Sequence, residues 1–197
     1  MVEKQEIVPK VETETLPDID WRNKDGIALV KSVVAKDCTE IEFKYLYYMA
    51  AKYDLDPLKK EIWAVKYTGR PVLVFASRAG WLKIAHDSGK FDGIETTVEY
   101  EKKSENAKIS YMPKPPKPYS ATCTIYKAGC SHPFKETVLF SEYDQKHALW
   151  VSKPTTMIRK VAEVQCLRKA FSVSGLYAPD EMPPVNGESE DDGNKTV

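Results

Sequence analysis

The chain has 197 residues, 42% of them hydrophobic, which is enough for one folded domain with flexible ends. No apolar run approaches the ~20 residues that cross a bilayer, and the N-terminus lacks the apolar stretch of a secretory signal, so a soluble, intracellular protein is expected. The formal net charge of zero conceals an asymmetry, since residues 21–179 carry 26 basic and 17 acidic side chains between acidic ends. This asymmetry fits a protein that binds a polyanion, and it also fits an ordinary lysine-rich surface.

The chain divides by composition into three parts. Residues 1–20 and 183–197 lack periodic apolar patterning and predict a disordered acidic leader and a disordered acidic tail. Residues 21–182 are expected to form one domain. Four scattered cysteines do not suggest a disulfide framework and are expected to be reduced thiols, some of them buried.

The first clear helix signal follows Thr39. Thr39 and Glu42 are spaced as a capping box, and the next residues place Phe43, Leu46, Tyr47 and Ala50 on one face. The helix is expected to end near residues 54–57, where Asp and Pro residues favour a turn.

A β-hairpin and a second helix come next. Residues 61–66 and 71–76 predict two strands joined by a short loop at 67–70. Ser77 can cap a helix over residues 78–88, which Gly89 would end.

Two further strands and a long helix complete the predicted domain. The strands are expected at residues 120–127 and 134–140, and the helix from about Pro154 to Ser174. The predicted fold class is therefore α+β, with a small antiparallel sheet and a β-hairpin packed against helices and a long C-terminal helix.

Basic residues accompany the long helix. Met157, Val161, Val164 and Phe171 form its expected core stripe. The cations at and near this helix are candidates for binding successive phosphates. Lys160 and Arg168 would flank the stripe, and Lys153 would point into the same sector. Arg159 and Lys169 point elsewhere and could form a solvated face, a second nucleic-acid contact or a subunit contact.

The hairpin region offers a second basic cluster interleaved with aromatic residues. Its cations are Lys59, Lys60, Lys66, Arg70, Arg78 and Lys83, and its aromatic neighbours include Trp63, Tyr67 and Trp81. Proteins that bind single strands combine a cationic groove with aromatic rings on which bases stack. Trp63 and Trp81 are expected in the core, whereas Trp150 lies in a predicted loop and is expected to be exposed.

Signatures of catalysis are missing from the sequence. It contains neither a phosphate-binding Gly-rich loop nor a serine-hydrolase elbow, and no pair of carboxylates suggests a two-metal nuclease. No catalytic residue and no cofactor is therefore expected. A zinc site at Cys123, Cys130 and His132 is an alternative, although the spacing matches none of the common patterns.

Four segments, taken together, resemble the RecT/Bet family of phage single-strand annealing proteins. Each resembles one family motif, and all four occur in the family's order within residues 40–182. They are Asp56–Ala64 (DPLKKEIWA), Ala79–Gly93 (with AGWLKI and FDG), Cys123–Pro133 (with CTIYK and HP) and Trp150–Tyr177.

The resemblance implies ATP-independent annealing of complementary DNA strands in homologous recombination, by a non-enzymatic protein that assembles into rings or helical filaments. The expected partners are single-stranded DNA, the annealed duplex intermediate and other copies of the chain, with no membrane. By position, Lys60 and Arg168 are the first candidates for DNA contact, and Trp150 would lie beside the groove. The full set of predicted DNA-binding residues is Lys60, Lys66, Arg70, Arg78, Trp150, Lys153, Arg159, Lys160, Arg168 and Lys169.

The sequence also departs from the family pattern. Thr155 and Thr156 stand where a family member has two basic residues, and Val161 stands where it has a lysine. That member continues into a C-terminal module that binds an exonuclease and the host single-strand-binding protein. No counterpart is expected here, which leaves both partners open.

Three other functions fit parts of the pattern. They are a passive single-strand-binding protein that does not anneal, a small metal-dependent nuclease or hydrolase, and a protein-interaction domain whose basic face meets an acidic partner.

Overall fold

The structure is a computed structural model that describes residues 19–67, 71–101, 117–146 and 148–179. The predicted leader and tail, apart from Ile19 and Asp20, lie outside the described residues. Six helices and five strands are present in the described ranges. The helices are α1 (Lys24–Val33), α2 (Glu40–Tyr53), α3 (Arg78–Asp87), α4 (Phe140–Tyr143), α5 (Ala148–Ser152) and α6 (Pro154–Phe171). The strands are β1 (Ile62–Val65), β2 (Leu73–Ala76), β3 (Phe91–Tyr100), β4 (Pro118–Lys127) and β5 (Phe134–Leu139).

Helix α2 begins with the predicted capping box. The backbone N–H of Glu42 donates to the Thr39 hydroxyl, and the Glu42 carboxylate accepts from the Thr39 backbone N–H at 2.8 Å. That backbone hydrogen bond, together with Lys66 and the Thr39 hydroxyl, lowers the pKa of Glu42. The helix ends at Asp54, which adopts a left-handed conformation with φ of 53°.

The predicted hairpin and the helix after it are confirmed. Strands β1 and β2 are antiparallel, with Trp63 opposite Phe75 and Val65 opposite Leu73. Ser77 caps α3 by accepting from the backbone N–H of Gly80. Residues 68–70 of the hairpin loop lie outside the described residues.

The second sheet has the order β3-β4-β5 and is antiparallel throughout. Strands β4 and β5 match the predicted strands. Strand β3 was not predicted, although Ile94, Thr96 and Val98 alternate with exposed residues as in a half-buried strand.

Helix α6 lies at the centre of the fold, between the three-stranded sheet on one side and α3 and α5 on the other. The predicted core residues Met157, Val161 and Val164 are buried, and Phe171 is half-buried. Burial extends well beyond that stripe, to Ile158, Ala162, Glu163, Cys166, Leu167 and Ala170. Because helices cover the side away from the sheet, a one-sided stripe underestimates how much of this helix is core. The helix ends at Ser172, a few residues before the predicted stop at Gly175.

The segment after α6 returns to the hairpin. The Ala76 N–H donates to the Tyr177 carbonyl at 2.9 Å, and the Tyr177 N–H donates to the Val74 carbonyl at 3.0 Å. This parallel bridge adds a third short strand segment beside β2. Gly175 makes the turn with φ of 78°, a left-handed conformation that favours glycine, and a Cβ atom there would also lie within 2.9 Å of the terminal methyl of Met49.

The prediction that Trp150 is exposed in a loop is wrong. Trp150 lies in α5 with only 3% of its surface exposed, and its ring packs against Phe140 at a centroid distance of 5.9 Å. Two short helices, α4 and α5, occupy most of the segment that was expected to be a loop.

None of the helices in the described ranges is long and apolar enough to cross a membrane.

Candidate nucleic-acid interface

Arg78 stands at the first position of α3 and reaches across to α6. Its Nε lies 2.5 Å from Oε2 of Glu163, a buried residue of α6. The other carboxylate oxygen of Glu163 lies 3.3 Å from the hydroxyl of Thr96 on β3. The charge of a buried carboxylate is tolerated when it is paired and hydrogen-bonded, so this contact fixes the Arg78 guanidinium against the body of the protein.

Lys60 lies near the same end of α3. Its turn precedes β1, and the Ser77 N–H donates to the Glu61 carbonyl at 3.0 Å. A Cβ on Gly80 would come within 2.4 Å of that carbonyl, so the glycine permits the turn to pack closely against α3. The side chain of Lys60 is exposed and forms no ion pair in the described part of the chain.

Two further cations occupy the turn of α6 that precedes Glu163. Arg159 and Lys160 are four and three residues before it, which makes their side chains neighbours of Glu163 on the helix surface. Arg159 is exposed and Lys160 is half-buried. We refer to Lys60, Arg78, Arg159 and Lys160 as the Arg78 cluster.

Lys153 lies just before α6, at its N-cap position, and is exposed. It extends the run of exposed cations toward the N-terminal end of this helix.

Arg168 is engaged inside the protein. Its guanidinium carbon lies 5.2 Å from the ring centre of Trp81, and its Nη2 donates to the Leu176 carbonyl at 3.3 Å. Nη1 donates to Gln165 at 3.2 Å. These contacts lock α6 to α3 and to the returning segment, so the half-buried Arg168 has a structural role whether or not it also meets DNA.

Lys66 and Lys169 each lie beside a carboxylate of another element. The Nζ of Lys66 is 3.1 Å from Glu42 of α2, and that of Lys169 is 2.9 Å from Glu136 of β5. The hydrogen bond with Glu136 raises the pKa of Lys169. Arg70 lies outside the described residues.

The face of the hairpin opposite Ile62 and Ala76 carries an aromatic cluster around the buried Phe75 that sequence reasoning did not identify. Phe75 contacts Trp63 on one side and Tyr177 on the other, at centroid distances of 6.1 and 6.2 Å. Trp63 is half-buried and 41% of Tyr177 is exposed, whereas Ile62, Val74 and Ala76 of the same strands point into the main core. The sequence signal for Tyr177 was its position between Leu176 and Ala178, a spacing typical of a strand that places Tyr177 on the opposite face from its two neighbours.

The residues of the alternative zinc site do not converge. Cys123 is buried on β4, where a hydrogen bond with Cys166 and burial raise its pKa, while Cys130 and His132 are exposed in the turn after β4. Among the described residues, no group of three or more potential ligands is placed to hold a metal ion. All four cysteines are free thiols, as the sequence predicted, and two of them are buried.

The fold and this surface define a class of protein, an α+β domain that carries cations from three separate elements and a group of partly exposed aromatic rings. The model of the RecT family matches residues 22–197, and the chain belongs to this family. The resemblance seen in the sequence is thereby confirmed.

One similar protein is the "Recombination protein bet" of Escherichia phage lambda, which is 28% identical over 159 residues. The match covers 76% of this chain and 54% of the phage protein. The chain therefore spans about half the length of the curated relative that it matches.

Proposed function

We propose that this protein binds single-stranded DNA and anneals complementary strands during phage recombination, without ATP. The observation that carries the proposal is the Arg78 cluster, in which separate elements bring cations around the N-terminus of α3. Membership in the RecT family and the likeness to a phage recombination protein support it.

The mechanism is electrostatic rather than covalent. Two complementary strands repel each other through their phosphates, and cations bound along one backbone lower that repulsion and release counterions. A strand held by its backbone keeps its base edges available, so a second strand can test pairing at any sequence. Correct pairing then contributes on the order of 1.4 kcal/mol per base-pair step through stacking.

Aromatic contact with bases is assigned to the hairpin rather than to Trp150. Tyr177, which is 41% exposed, and the half-buried Trp63 lie on either side of the buried Phe75. Every base has a π face, so stacking on these rings would be independent of sequence.

The protein would act as a non-enzymatic annealing core at residues 21–182, in the cytoplasm of the bacterial host, with no cofactor. Acidic segments would flank this core at both ends. Its partners would be single-stranded DNA, the annealed duplex and further copies of the chain in a ring or filament. A phage exonuclease and the host single-strand-binding protein are candidate partners that would have to bind through a surface of this core.

The paired substitution Lys60→Ala with Arg159→Ala tests the proposal. It removes two exposed cations of the Arg78 cluster, so we expect weaker binding of single-stranded DNA and slower annealing. The slope of the logarithm of the binding constant against the logarithm of the salt concentration should decrease by the amount that corresponds to about two phosphate contacts. Binding is measured by fluorescence anisotropy with a labelled oligonucleotide over a range of salt, and annealing by energy transfer between two labelled strands.

The matched control is Lys24→Ala with Lys36→Ala, which removes two exposed cations at α1 and just after it. Equal effects of the two double variants would mean that net charge alone determines DNA binding. That result would contradict the assignment of the interface.

A further inference from the structure

Glu163 is a buried acidic residue in a region where a nucleic-acid interface is proposed. It has only 5% of its surface exposed, and its two carboxylate oxygens are used by Arg78 at 2.5 Å and by Thr96 at 3.3 Å. A carboxylate close to bound phosphates opposes binding through its charge. Its presence therefore needs a reason other than attraction of DNA.

The contact uses only one edge of the arginine. Glu163 accepts from Nε, while half of the Arg78 side chain is exposed and its Nη1 and Nη2 atoms have no protein partner in the described ranges. A guanidinium is planar and presents several N–H groups in a rigid fork. Anchoring one edge consequently fixes the direction in which the open edge points.

We propose that Glu163 is a positioning residue, which holds Arg78 so that its open edge meets a backbone phosphate of the bound strand. The inference rests on the proposed function and adds a role for an acidic residue within it. A preorganised arginine loses less side-chain freedom when DNA binds, and its charge-assisted hydrogen bonds to phosphate require defined directions.

Two substitutions of Glu163 separate positioning from charge. Glu163→Gln keeps an oxygen that can accept from Arg78 but removes the charge, and Glu163→Met removes the acceptor while keeping the length of the side chain. Positioning predicts single-strand affinity in the order wild type, Gln, Met, with Met weaker than wild type by roughly threefold to tenfold, the scale of the net contribution of one hydrogen bond. A purely electrostatic effect predicts the opposite, since both variants lose a negative charge and would bind DNA more tightly than wild type.

The control for charge is Glu142→Gln, which removes an exposed carboxylate of α4 that has no partner among the described residues. We expect its affinity to equal or slightly exceed that of wild type. Circular dichroism and thermal unfolding establish that each variant is folded. If the Met variant does not fold, the Gln variant alone decides between the two explanations, since positioning predicts weaker DNA binding than wild type and a purely electrostatic effect predicts tighter binding.

The same substitutions in an Arg78→Ala background complete the test. Arg78→Ala alone should decrease the dependence of the DNA-binding constant on salt concentration by the amount that corresponds to about one phosphate contact. Positioning predicts that Glu163→Gln no longer weakens binding in this background, since there is no arginine to direct. If the Gln and Met variants weaken binding by the same factor with and without Arg78, or if they strengthen binding when Arg78 is present, the inference is wrong.

Failure of this inference is distinguishable from failure of the proposed function. If wild-type protein does not bind single-stranded DNA, the proposed function is wrong. If wild type binds and Arg78→Ala binds as well as wild type, only the positioning role is wrong.

Discussion

The indole of Trp150 packs on Phe140 within the core beside α6, and only 3% of the residue is exposed. Removing so large a buried ring leaves a cavity, so Trp150→Ala is expected to lower the free energy of unfolding by about 3–5 kcal/mol. Urea denaturation followed by circular dichroism measures this loss.

Trp150→Phe distinguishes this structural role from contact with DNA. It keeps an aromatic ring in the core, so a smaller loss of stability and unchanged single-strand affinity are expected. A folded Phe variant of normal stability with strongly reduced affinity would show that Trp150 meets DNA.

At the residue scale, the basic side chains of α6 have environments that the sequence does not distinguish. Arg159 is exposed, whereas Arg168 stacks on Trp81 and Lys169 pairs with Glu136. The presence of cations on this helix could be predicted from composition and spacing. Their partners could not, because Trp81 and Glu136 come from distant parts of the chain and meet α6 only in the folded protein.

The burial of Glu163 likewise could not be predicted from the sequence. One acidic residue within a helical pattern carries no local signal of burial, since such residues are usually solvated. Its role is evident only once Arg78 and Thr96, which lie 85 and 67 residues away in sequence, are seen beside it.

At the element scale, local sequence signals were sufficient to predict a helix or strand where the capping and turn residues agree with the hydrophobic pattern. Thr39 and Ser77 determine where α2 and α3 begin, and the hairpin strands pair as their alternation predicted. Strand β3 was missed because half of its residues are polar. Glu95, Thr97 and Glu99 face solvent, while only Ile94 and Val98 supply aliphatic side chains to the inner face. This strand is stabilised by its pairing with β4, and its own residues give only a weak signal for a strand.

The capping box of α2 gives a direct test at this scale. Thr39→Ala removes the hydroxyl that accepts from the Glu42 N–H, and we expect a loss of about 1 kcal/mol in the free energy of unfolding. Thr156→Ala is the control, since Thr156 is an exposed residue within α6 where alanine favours the helix. Chemical denaturation should show a loss for Thr39→Ala alone, and equal stability of the two variants would mean that the box contributes nothing.

At the scale of the whole molecule, the proposed interface belongs to no single element. The turn before β1 supplies Lys60, α3 supplies Arg78 and α6 supplies Arg159 and Lys160. Composition alone predicted an excess of cations between acidic ends, and the fold determines which of them share a surface. The acidic ends lie mostly outside the described residues.

The central claim is that this chain brings complementary strands together rather than merely coating them. Two complementary labelled oligonucleotides, added in sequence to the purified protein without any nucleoside triphosphate, test it most directly, with energy transfer reporting duplex formation. We predict that duplex forms faster with the protein than without it, and that non-complementary strands give no signal. Duplex formation slower than in the protein-free reaction, with both strands bound, would instead identify a passive single-strand-binding protein and contradict the account.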